Sequence, residues 1–335
     1  DLVVGTHALI GERVAFRSLA VVVIDEQHRF GVEQRAKLRV KGSAAGPSEF
    51  DTPHVLVMTA TPIPRTIGLT LFGDLDVSTI DALPPGRSPI ATRTVTSDRR
   101  GEVYRWVRGR LDAGEQAYVV VPAIDTGASS GDDGLRDLRT VQEELEGGEL
   151  HGKRIAALHG RLKRETRERV MARFRAGEID ALVATTVIEV GVDVPNATTI
   201  VIEHADRFGL AQLHQLRGRV GRGSKPGACV LIADPKTDDA IRRIRAMCET
   251  TSGFDLAEQD LEIRGSGDVF GTRQSGASPF KIADLARDGA LLDLARRDAA
   301  AWIALNPTLD GPEDALVRRR LIKTHGPWLG LGDVG

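Results

Sequence analysis

The chain has 335 residues, 41% of them hydrophobic and 27% charged, with a formal net charge of -2. This composition is typical of a globular protein with two or three domains. It excludes a global positive field, so any contact with nucleic acid has to come from local basic patches. No apolar run is long enough to span a membrane, and Cys229 and Cys248 form no CxxC pair. We therefore expect a cytoplasmic protein with no membrane contact and two core thiols.

The first stretch that indicates chemistry is the apolar run over 19–24, which ends in Asp25 and Glu26. An unbroken run of branched residues predicts a strand buried on both faces of a parallel sheet. Such sheets bind ligands at their carboxyl edge. Two adjacent carboxylates there suit nucleotide hydrolysis, because one can hold magnesium on the phosphates while the other activates water. An acidic turn without function is the alternative for this pair taken alone.

Polar turns also follow the two neighbouring apolar segments, 2–4 and 54–58, which we predict to be strands. The first turn offers amide and hydroxyl groups that suit a phosphate backbone, although an ordinary turn explains it equally well. The second turn is rich in hydroxyls and can hydrogen-bond toward the acidic pair. The first turn contains Gly5, Thr6 and His7, and the second contains Thr59 and Thr61.

The segment over 83–87, Leu-Pro-Pro-Gly-Arg, predicts an interdomain linker, and strands and helices alternate again beyond it. This alternation predicts a second parallel sheet covered on both faces, and hence two α/β lobes with a cleft between them. The first lobe is incomplete. The predicted strands of the second lobe are 117–121, 155–158, 181–184, 199–202 and 228–232, and a basic amphipathic helix is predicted over 163–175.

The most specific pattern of the second lobe is Gln-Leu-Arg-Gly-Arg-Val-Gly-Arg, over 215–222. Arg219 and Arg222 can both point into a cleft and stabilise charge on a phosphoryl group. The alternative is a solvated basic helix end, which the glycines disfavour because they weaken a helix with no packing gain. Gly191 and Asp193 follow another strand, where the aspartate can accept from a ribose hydroxyl, although a structural loop is the alternative.

A third pattern, Gly-Gly-Glu-Leu-His-Gly-Lys-Arg over 147–154, matches the spacing of a phosphate-binding loop. It ends in Arg154 where a magnesium-ligating Ser or Thr belongs. It also precedes a predicted strand, whereas a phosphate-binding loop follows one. We therefore predict no phosphate-binding function here. The chain carries the magnesium carboxylates without a phosphate cradle.

The character of the chain changes after about residue 237. Two helices are predicted before residue 264, the first with Ile241, Ile244 and Met247 on its apolar side. A polar, glycine-rich loop follows over 264–274, and the periodicity over 283–297 predicts a further helix.

In chain order, these segments resemble the motifs of the superfamily 2 helicases. Residues 25–31 look like the DEQH box and 59–65 like the TAT motif. Residues 5–9, 184–193 and 215–222 resemble motifs Ib, V and VI. The loop over 264–274 is similar to one that follows a helical hairpin in members that move along duplex DNA, where it couples lobe movement to translocation.

The resemblance implies roles for individual residues. Asp25 would act on magnesium, with Gly191 and Asp193 contacting the nucleotide. The implied catalytic residues are Glu26, which would act on water, His28, Gln215, and the arginine fingers Arg219 and Arg222. The implied DNA-binding or coupling residues are Gly5, Thr6, His7, Thr59, Thr61, His159, Thr186, Arg264, Arg273 and Gln274.

The resemblance also implies the architecture and the activity. We expect an α/β fold of two RecA-like lobes, over 1–86 and 87–236, followed by the hairpin, loop and carboxy-terminal helices over 237–335. The expected function is the motor portion of an ATP-dependent DNA helicase that remodels branched double-stranded DNA, such as stalled forks and Holliday junctions, in recombination and repair. ATP and magnesium are the implied cofactors. We expect a monomer whose phosphate loop, adenine-contacting motif and fork-gripping wedge lie in an amino-terminal part of the same polypeptide, so that this segment alone is inactive.

Three alternatives stay open. A transcription-repair coupling translocase shares the hairpin and loop, but a second Glu is expected where this chain has Gln27. A catalytically inactive DNA-binding module fits the missing phosphate loop, but it has no need for Asp25, Glu26, Arg219 and Arg222. An RNA helicase is disfavoured by the loop after Arg264.

Overall fold

In a computed structural model of the chain, the structure describes residues 2–11, 14, 16, 19–25, 53–59, 78–80, 88–122, 138–185, 193–264 and 288–325. The strands are β1 (Val21–Ile24), β2 (His54–Val57), β3 (Ile90–Val95), β4 (Gln116–Val120), β5 (Ile155–Leu158), β6 (Ala181–Ala184), β7 (Ala197–Ile202) and β8 (Gly227–Ile232). The α-helices are α1 (Arg100–Asp112), α2 (Leu138–Gly147), α3 (Arg164–Arg175), α4 (Leu210–Arg217), α5 (Asp238–Glu249), α6 (Gly253–Arg264), α7 (Gly289–Leu305) and α8 (Ala315–His325).

Strands β3 to β8 form one six-stranded sheet with the order β3-β8-β7-β4-β6-β5, in which every pairing is parallel. The chain reaches β5 and β6 on one side of β4 and then crosses to β7 and β8 on the other side. β4 therefore marks the point where the winding of the sheet reverses, which is where open α/β sheets bind their ligands. The predicted parallel sheet of the second lobe is confirmed.

Helices cover both faces of this sheet, as the alternation of elements predicts. On one face, α1 and α2 pack against β4, β6 and β7, with apolar residues at helical spacing such as Val103 and Val107 fully or nearly fully buried. On the other face, the ring of Phe174 from α3 lies 5.1 Å from the ring of Tyr118 on β4. Alternate residues of β4 thus point into two apolar layers.

Strands β1 and β2 form a separate two-stranded parallel sheet, in which Ile24 pairs with Val57. The prediction of two neighbouring strands here is confirmed, but full burial is wrong. Val21 and Val23 are 58% and 57% exposed, while Ile24 is 4% exposed. Side chains alternate between the faces of a strand, and only one face of this narrow sheet is covered.

Two further sequence predictions are wrong. Residues 2–4 form no strand in the described structure, and Leu2 is 89% exposed, because no neighbouring strand pairs with them there. Cys229 is buried in β8 as predicted, whereas Cys248 is exposed because it lies on the outer side of α5. Ile241, predicted on the apolar side of the same helix, is also exposed.

Contacts divide the chain into two compact units, Asp1–Pro62 with Asp81–Asp260, and Ile63–Ile80 with Leu261–Gly335. Within the first unit, α5 packs against β3 and α4. In the second unit, Trp302 of α7 donates a hydrogen bond to the buried carboxylate of Asp314 over 2.7 Å. The domain boundaries proposed after 86 and 236 remain predictions. In the described ranges, no helix is both long and apolar enough to cross a bilayer.

Candidate functional site

Asp25 and Thr59 leave adjacent strands at the same edge of the two-stranded sheet. Asp25 directly follows β1, and Thr59 follows β2 by two residues. The backbone N–H of Met58 donates to the carbonyl oxygen of Ile24 over 2.8 Å, which fixes the register at this edge. Both side chains are exposed. The hydroxyl-rich turn and the acidic turn therefore lie side by side in their described part, and a hydrogen bond from the first toward the acidic pair remains a prediction.

The donor chemistry of this edge fits magnesium. An exposed carboxylate beside a hydroxyl supplies hard oxygen ligands, and magnesium is commonly held by one or two carboxylates together with substrate phosphates rather than by a full protein cage. Among the described residues, no cluster of three or more His, Cys, Asp or Glu side chains able to hold a metal is found.

A second candidate group lies in the loops that precede β7 and β8 of the six-stranded sheet, where Asp193 and Arg222 approach each other. Their side chains are 3.8 Å apart, with exposed fractions of 26% and 59%. The Nε of Arg222 also donates to the carbonyl oxygen of Gly218 over 3.0 Å. Arg219 follows the end of α4, with its backbone N–H bonded to Leu216. Two of the predicted nucleotide-contacting residues are thus brought together.

The phenol of Tyr118 lies close enough to Arg219, Arg222 and Asp193 for their charges to affect its pKa. Burial raises the pKa of Tyr118 to about 12, while Arg222 and Arg219 act to lower it and Asp193 acts to raise it. Tyr118 therefore stays neutral at physiological pH, beneath a cluster of two guanidinium groups and one carboxylate. Sequence reasoning did not identify this tyrosine, because it lies in a strand without a polar motif.

Gly221 of the 215–222 segment and Gly223 just after it have a packing role, which corrects the argument made from sequence. Gly221 has a φ of +71°, and a Cβ there would lie 2.7 Å from Cγ1 of Ile90. A Cβ on Gly223 would lie 2.6 Å from the carbonyl oxygen of Pro195. Ile90 is the first residue of β3 and Pro195 lies just before β7, so the loop passes close to the amino edge of the sheet. The close approach requires glycine.

Arg217 is a buried residue of the same motif whose role the sequence did not reveal. Its side chain is only 3% exposed. One Nη atom donates to the carbonyl oxygens of Met247 and Thr250, over 3.0 and 2.8 Å, and the other donates to Thr251 over 3.2 Å. Burial lowers the pKa of its guanidinium. Arg217 thus ties the end of α4 to the turn between α5 and α6.

Of the two predicted DNA-contacting residues of the second lobe, His159 lies at the opposite, carboxyl edge of the sheet, and Thr186 lies outside the described residues, next to Thr185. His159 directly follows β5, and Thr185 directly follows β6. The two strands are paired, and the N–H of Thr185 donates to the carbonyl oxygen of Leu158 over 3.2 Å. Both side chains are partly exposed. Asp193 and Arg222 therefore lie at one edge of the sheet and His159 at the opposite edge.

The first predicted DNA-contacting turn has a local structural role. The hydroxyl of Thr6 accepts from the N–H of Ala8 over 3.4 Å and caps a 3-10 turn over His7–Ile10. Gly5 and Thr6 are exposed. Their contact with DNA remains a prediction, as does the catalytic role of Gln215, which lies partly buried in α4.

Several predicted site residues lie outside the described residues, or have only their backbone described. The first set comprises Glu26, His28, Thr61, Thr186, Gly191, Arg273 and Gln274, and the second comprises His7 and Arg264. The linker over 83–87 also lies outside.

The strand predicted directly after the rejected phosphate-loop pattern is confirmed. The segment follows α2 and leads directly into β5, the reverse of the order that a phosphate-binding loop requires. Lys153 pairs with Asp112 over 2.5 Å, and Arg154 pairs with Asp180 over 2.5 Å. Its two cations are thus engaged by carboxylates.

Comparisons with known proteins give two family matches. Residues 104–224 match the helicase conserved C-terminal domain. Residues 250–326 match the C-terminal part of domain 3 of the ATP-dependent DNA helicase RecG. The first match contains Asp193, Arg219 and Arg222, and the second begins in the turn that Arg217 holds.

Relatives named ATP-dependent DNA helicase RecG match nearly the whole chain. The protein of Streptococcus pneumoniae serotype 4 is 48% identical over 323 residues, covering 96% of this chain and 46% of the relative. That of Bacillus subtilis strain 168 is 47% identical over 324 residues, covering 97% and 46%. The chain thus spans about half the length of these relatives.

A solved structure agrees with these matches. RecG bound to a three-way DNA junction is 44% identical, with a TM-score of 0.62, and the match covers 86% of this chain and 35% of that one.

Proposed function

Since the chain belongs to the RecG family of ATP-dependent DNA helicases, we propose that it is the motor portion of an enzyme that remodels branched double-stranded DNA. The proposed substrates are stalled replication forks and Holliday junctions, and the proposed setting is recombination and repair in the cytoplasm. The proposal rests on one observation above all, the 44% identity to RecG bound to a three-way junction across 86% of this chain.

The proposed ATP site uses the carboxyl edge of β1 and β2. Asp25 would hold magnesium, which when bound neutralises charge on the phosphates, and Glu26 would orient and deprotonate the attacking water. Thr59 lies at the same edge as Asp25 through the pairing of Ile24 with Val57. Thr59 is therefore well placed to respond to changes at the ATP site. We propose that Thr59, His28 and Thr61 together couple ATP binding and hydrolysis to the DNA-binding surface.

The proposed arginine fingers are Arg219 and Arg222. Their role is to stabilise the charge of the transferring phosphoryl group, a contribution worth about 10³ to 10⁵ in rate in related chemistry. Asp193, 3.8 Å from Arg222, would accept from the ribose. The glycines at 221 and 223 support the proposal, because they fix the loop against residues at the amino edge of the sheet.

The contacts of Arg217 suggest how a movement of the loop that carries Arg219 and Arg222 would reach the helices that follow the sheet. Its guanidinium contacts Met247 in the last turn of α5 and then Thr250 and Thr251 in the turn between α5 and α6, and α6 precedes the loop over 264–274 in the chain. A displacement of the arginine loop would therefore be transmitted to that turn. We propose that Arg264, Arg273 and Gln274 use this movement to step along duplex DNA.

DNA contacts are proposed at the carboxyl edge of the six-stranded sheet, through His159 and Thr186, and in the first lobe through Gly5, Thr6 and His7. Most of these groups would meet phosphates rather than bases. Binding should then depend strongly on salt and little on sequence.

A coupling-factor translocase is the second candidate. The relatives reported above carry the RecG name, and Gln27 stands where that translocase is expected to have a glutamate. Both observations favour the first candidate.

The test measures ATP hydrolysis by the natural-length protein without nucleic acid and with single strands, plain duplex, forked DNA or RNA. Strongest stimulation by forked DNA, together with fork unwinding, is the expected result. Stimulation by plain duplex without unwinding would instead favour the coupling-factor translocase. No hydrolysis under any condition would favour the inactive binding module.

A further inference from the structure

The residue that follows β7, His204, has a left-handed backbone conformation with φ 51° and ψ 46°. Among the residues that the structure describes, Leu309 is the only other non-glycine residue with a positive φ. This conformation is unfavourable for a residue with a Cβ, and it persists where the surrounding structure enforces it, often at functional sites.

The surroundings of His204 enforce that conformation. The preceding residue, Glu203, is 3% exposed, and its carboxylate accepts from the Nε of Arg100 over 2.6 Å and from the hydroxyl of Tyr104 over 2.7 Å. The carbonyl oxygen of His204 accepts from the N–H of Arg207 over 3.0 Å. A buried charged network on one side and a closed turn on the other thus hold His204 in place.

The position of His204 in the sheet is informative. It lies at the carboxyl end of β7, the edge at which His159 and Thr185 leave β5 and β6. In the order β7-β4-β6-β5, three strand spacings of about 4.8 Å separate the outer two, or about 14 Å. The His204 ring is partly exposed, makes no hydrogen bond within the described part of the chain, and has the exposed Arg207 on the same turn.

We propose that His204 is a further DNA-contacting residue, whose imidazole N–H donates a hydrogen bond to a backbone phosphate oxygen. The Glu203–Arg100–Tyr104 network holds the turn so that this ring is presented at the carboxyl edge. The contact extends the predicted DNA track from β5 and β6 across β4 to β7. This inference rests on the proposed function, since it assigns one more contact to the same DNA surface.

A simpler explanation is that histidine occupies a tight turn because it tolerates the left-handed region better than most residues. The two explanations differ for His204→Gly. Glycine adopts this conformation without steric cost, so the variant should be at least as thermally stable as the natural protein under either explanation. Only the proposed contact predicts that it also loses affinity for DNA.

The experiment uses the natural-length protein and its His204→Gly, His204→Asn and His151→Ala variants. His151 is an exposed histidine that precedes β5, at the opposite edge of the sheet, and so serves as the matched control. Affinity for a fluorescent duplex is measured by anisotropy at fixed salt, with thermal unfolding alongside. His204→Gly should bind about tenfold more weakly, as expected for one lost hydrogen bond to a charged group. Its Tm should be unchanged or higher.

His204→Asn tolerates the left-handed region and keeps a donor, so it should recover most of the affinity, and His151→Ala should bind as the natural protein does. The proposal is overturned if His204→Gly binds DNA with natural affinity, or if His151→Ala weakens binding as much. Failure of the proposed function is distinguishable, because the natural-length protein itself would then show no DNA binding and no DNA-dependent ATP hydrolysis.

Discussion

The guanidinium of Arg217 donates a hydrogen bond to the carbonyl oxygen of Met247 over 3.0 Å, and this contact joins the end of α4 to the end of α5. The two residues are 30 positions apart in sequence, and the same side chain also bonds the carbonyls of Thr250 and Thr251. One arginine of the motif thus has a structural role, two residues before Arg219.

Replacing Arg217 by methionine should reduce the free energy of unfolding by roughly 3 to 5 kcal/mol, because three carbonyl oxygens lose their charged donor while the site stays buried. Urea denaturation followed by circular dichroism measures the loss. The exposed Arg207 is the control, and its replacement by alanine should change stability by less than about 0.5 kcal/mol. Equal stability of the two variants would contradict the assigned role.

Replacing Gly221 by alanine should destabilise the protein by roughly 1 to 3 kcal/mol. The φ of +71° is unfavourable for alanine, and the added Cβ would meet Ile90 at 2.7 Å. Because the loop also carries Arg222, ATP hydrolysis should fall as well. Gly109→Ala provides the matched control, since a Cβ there meets nothing within 4 Å in a helix interior. That variant should be more stable by about 0.5 to 1 kcal/mol, and a loss of stability in it would count against the packing analysis.

Arg222→Ala in the natural-length protein should lower the kcat of ATP hydrolysis by about 10³-fold or more, with little change in nucleotide affinity, because a finger acts on charge in the transition state. Steady-state kinetics and nucleotide titration separate the two effects. Arg173, whose ion pair with Glu178 is exposed on both sides, is the control, and Arg173→Ala should hydrolyse ATP normally. A drop in affinity with unchanged kcat would remove Arg222 from the finger role.

Glu26→Gln should abolish ATP turnover while leaving nucleotide and DNA binding nearly intact, because the amide keeps the size of the side chain but cannot take a proton from water. Single-turnover hydrolysis and equilibrium binding are the measurements. Glu143→Gln, an exposed change on α2, should leave turnover at the natural rate. Retained hydrolysis in Glu26→Gln would show that another group activates the water.

The sequence predicted strands best where apolar runs are unbroken. β5 and β6 have the predicted bounds, because Ile-Ala-Ala-Leu and Ala-Leu-Val-Ala are unbroken apolar runs, fully buried in β6 and at least partly buried in β5. β3 was not predicted, because Ile-Ala-Thr-Arg-Thr-Val alternates with polar residues at the sheet edge. Helix α1 was not predicted, because the arginines between its apolar residues make their helical spacing hard to recognise.

The candidate site also has some features that were predictable from the sequence and others that were not. The parallel pairing of β1 with β2 brought Asp25 and Thr59 to one edge, as adjacent strands of a parallel sheet require. The burial of Arg217 and the left-handed turn at His204 were not predictable, because each depends on partners far along the chain. Arg217 bonds carbonyls that lie 30, 33 and 34 residues away, and Glu203 bonds Arg100 at a separation of 103 residues.

The placement of Arg222 and His159 at opposite edges of one parallel sheet has a mechanical consequence. A closely packed sheet moves as a rigid body, since its interior has little compressibility. A force exerted on Arg222 by a bound nucleotide would therefore rotate the lobe about its centre. His159 would then move by a comparable distance in the opposite direction. If the proposed contacts of Arg222 and His159 are correct, the stiffness of the six hydrogen-bonded strands would couple them, in addition to the side-chain contacts of Arg217.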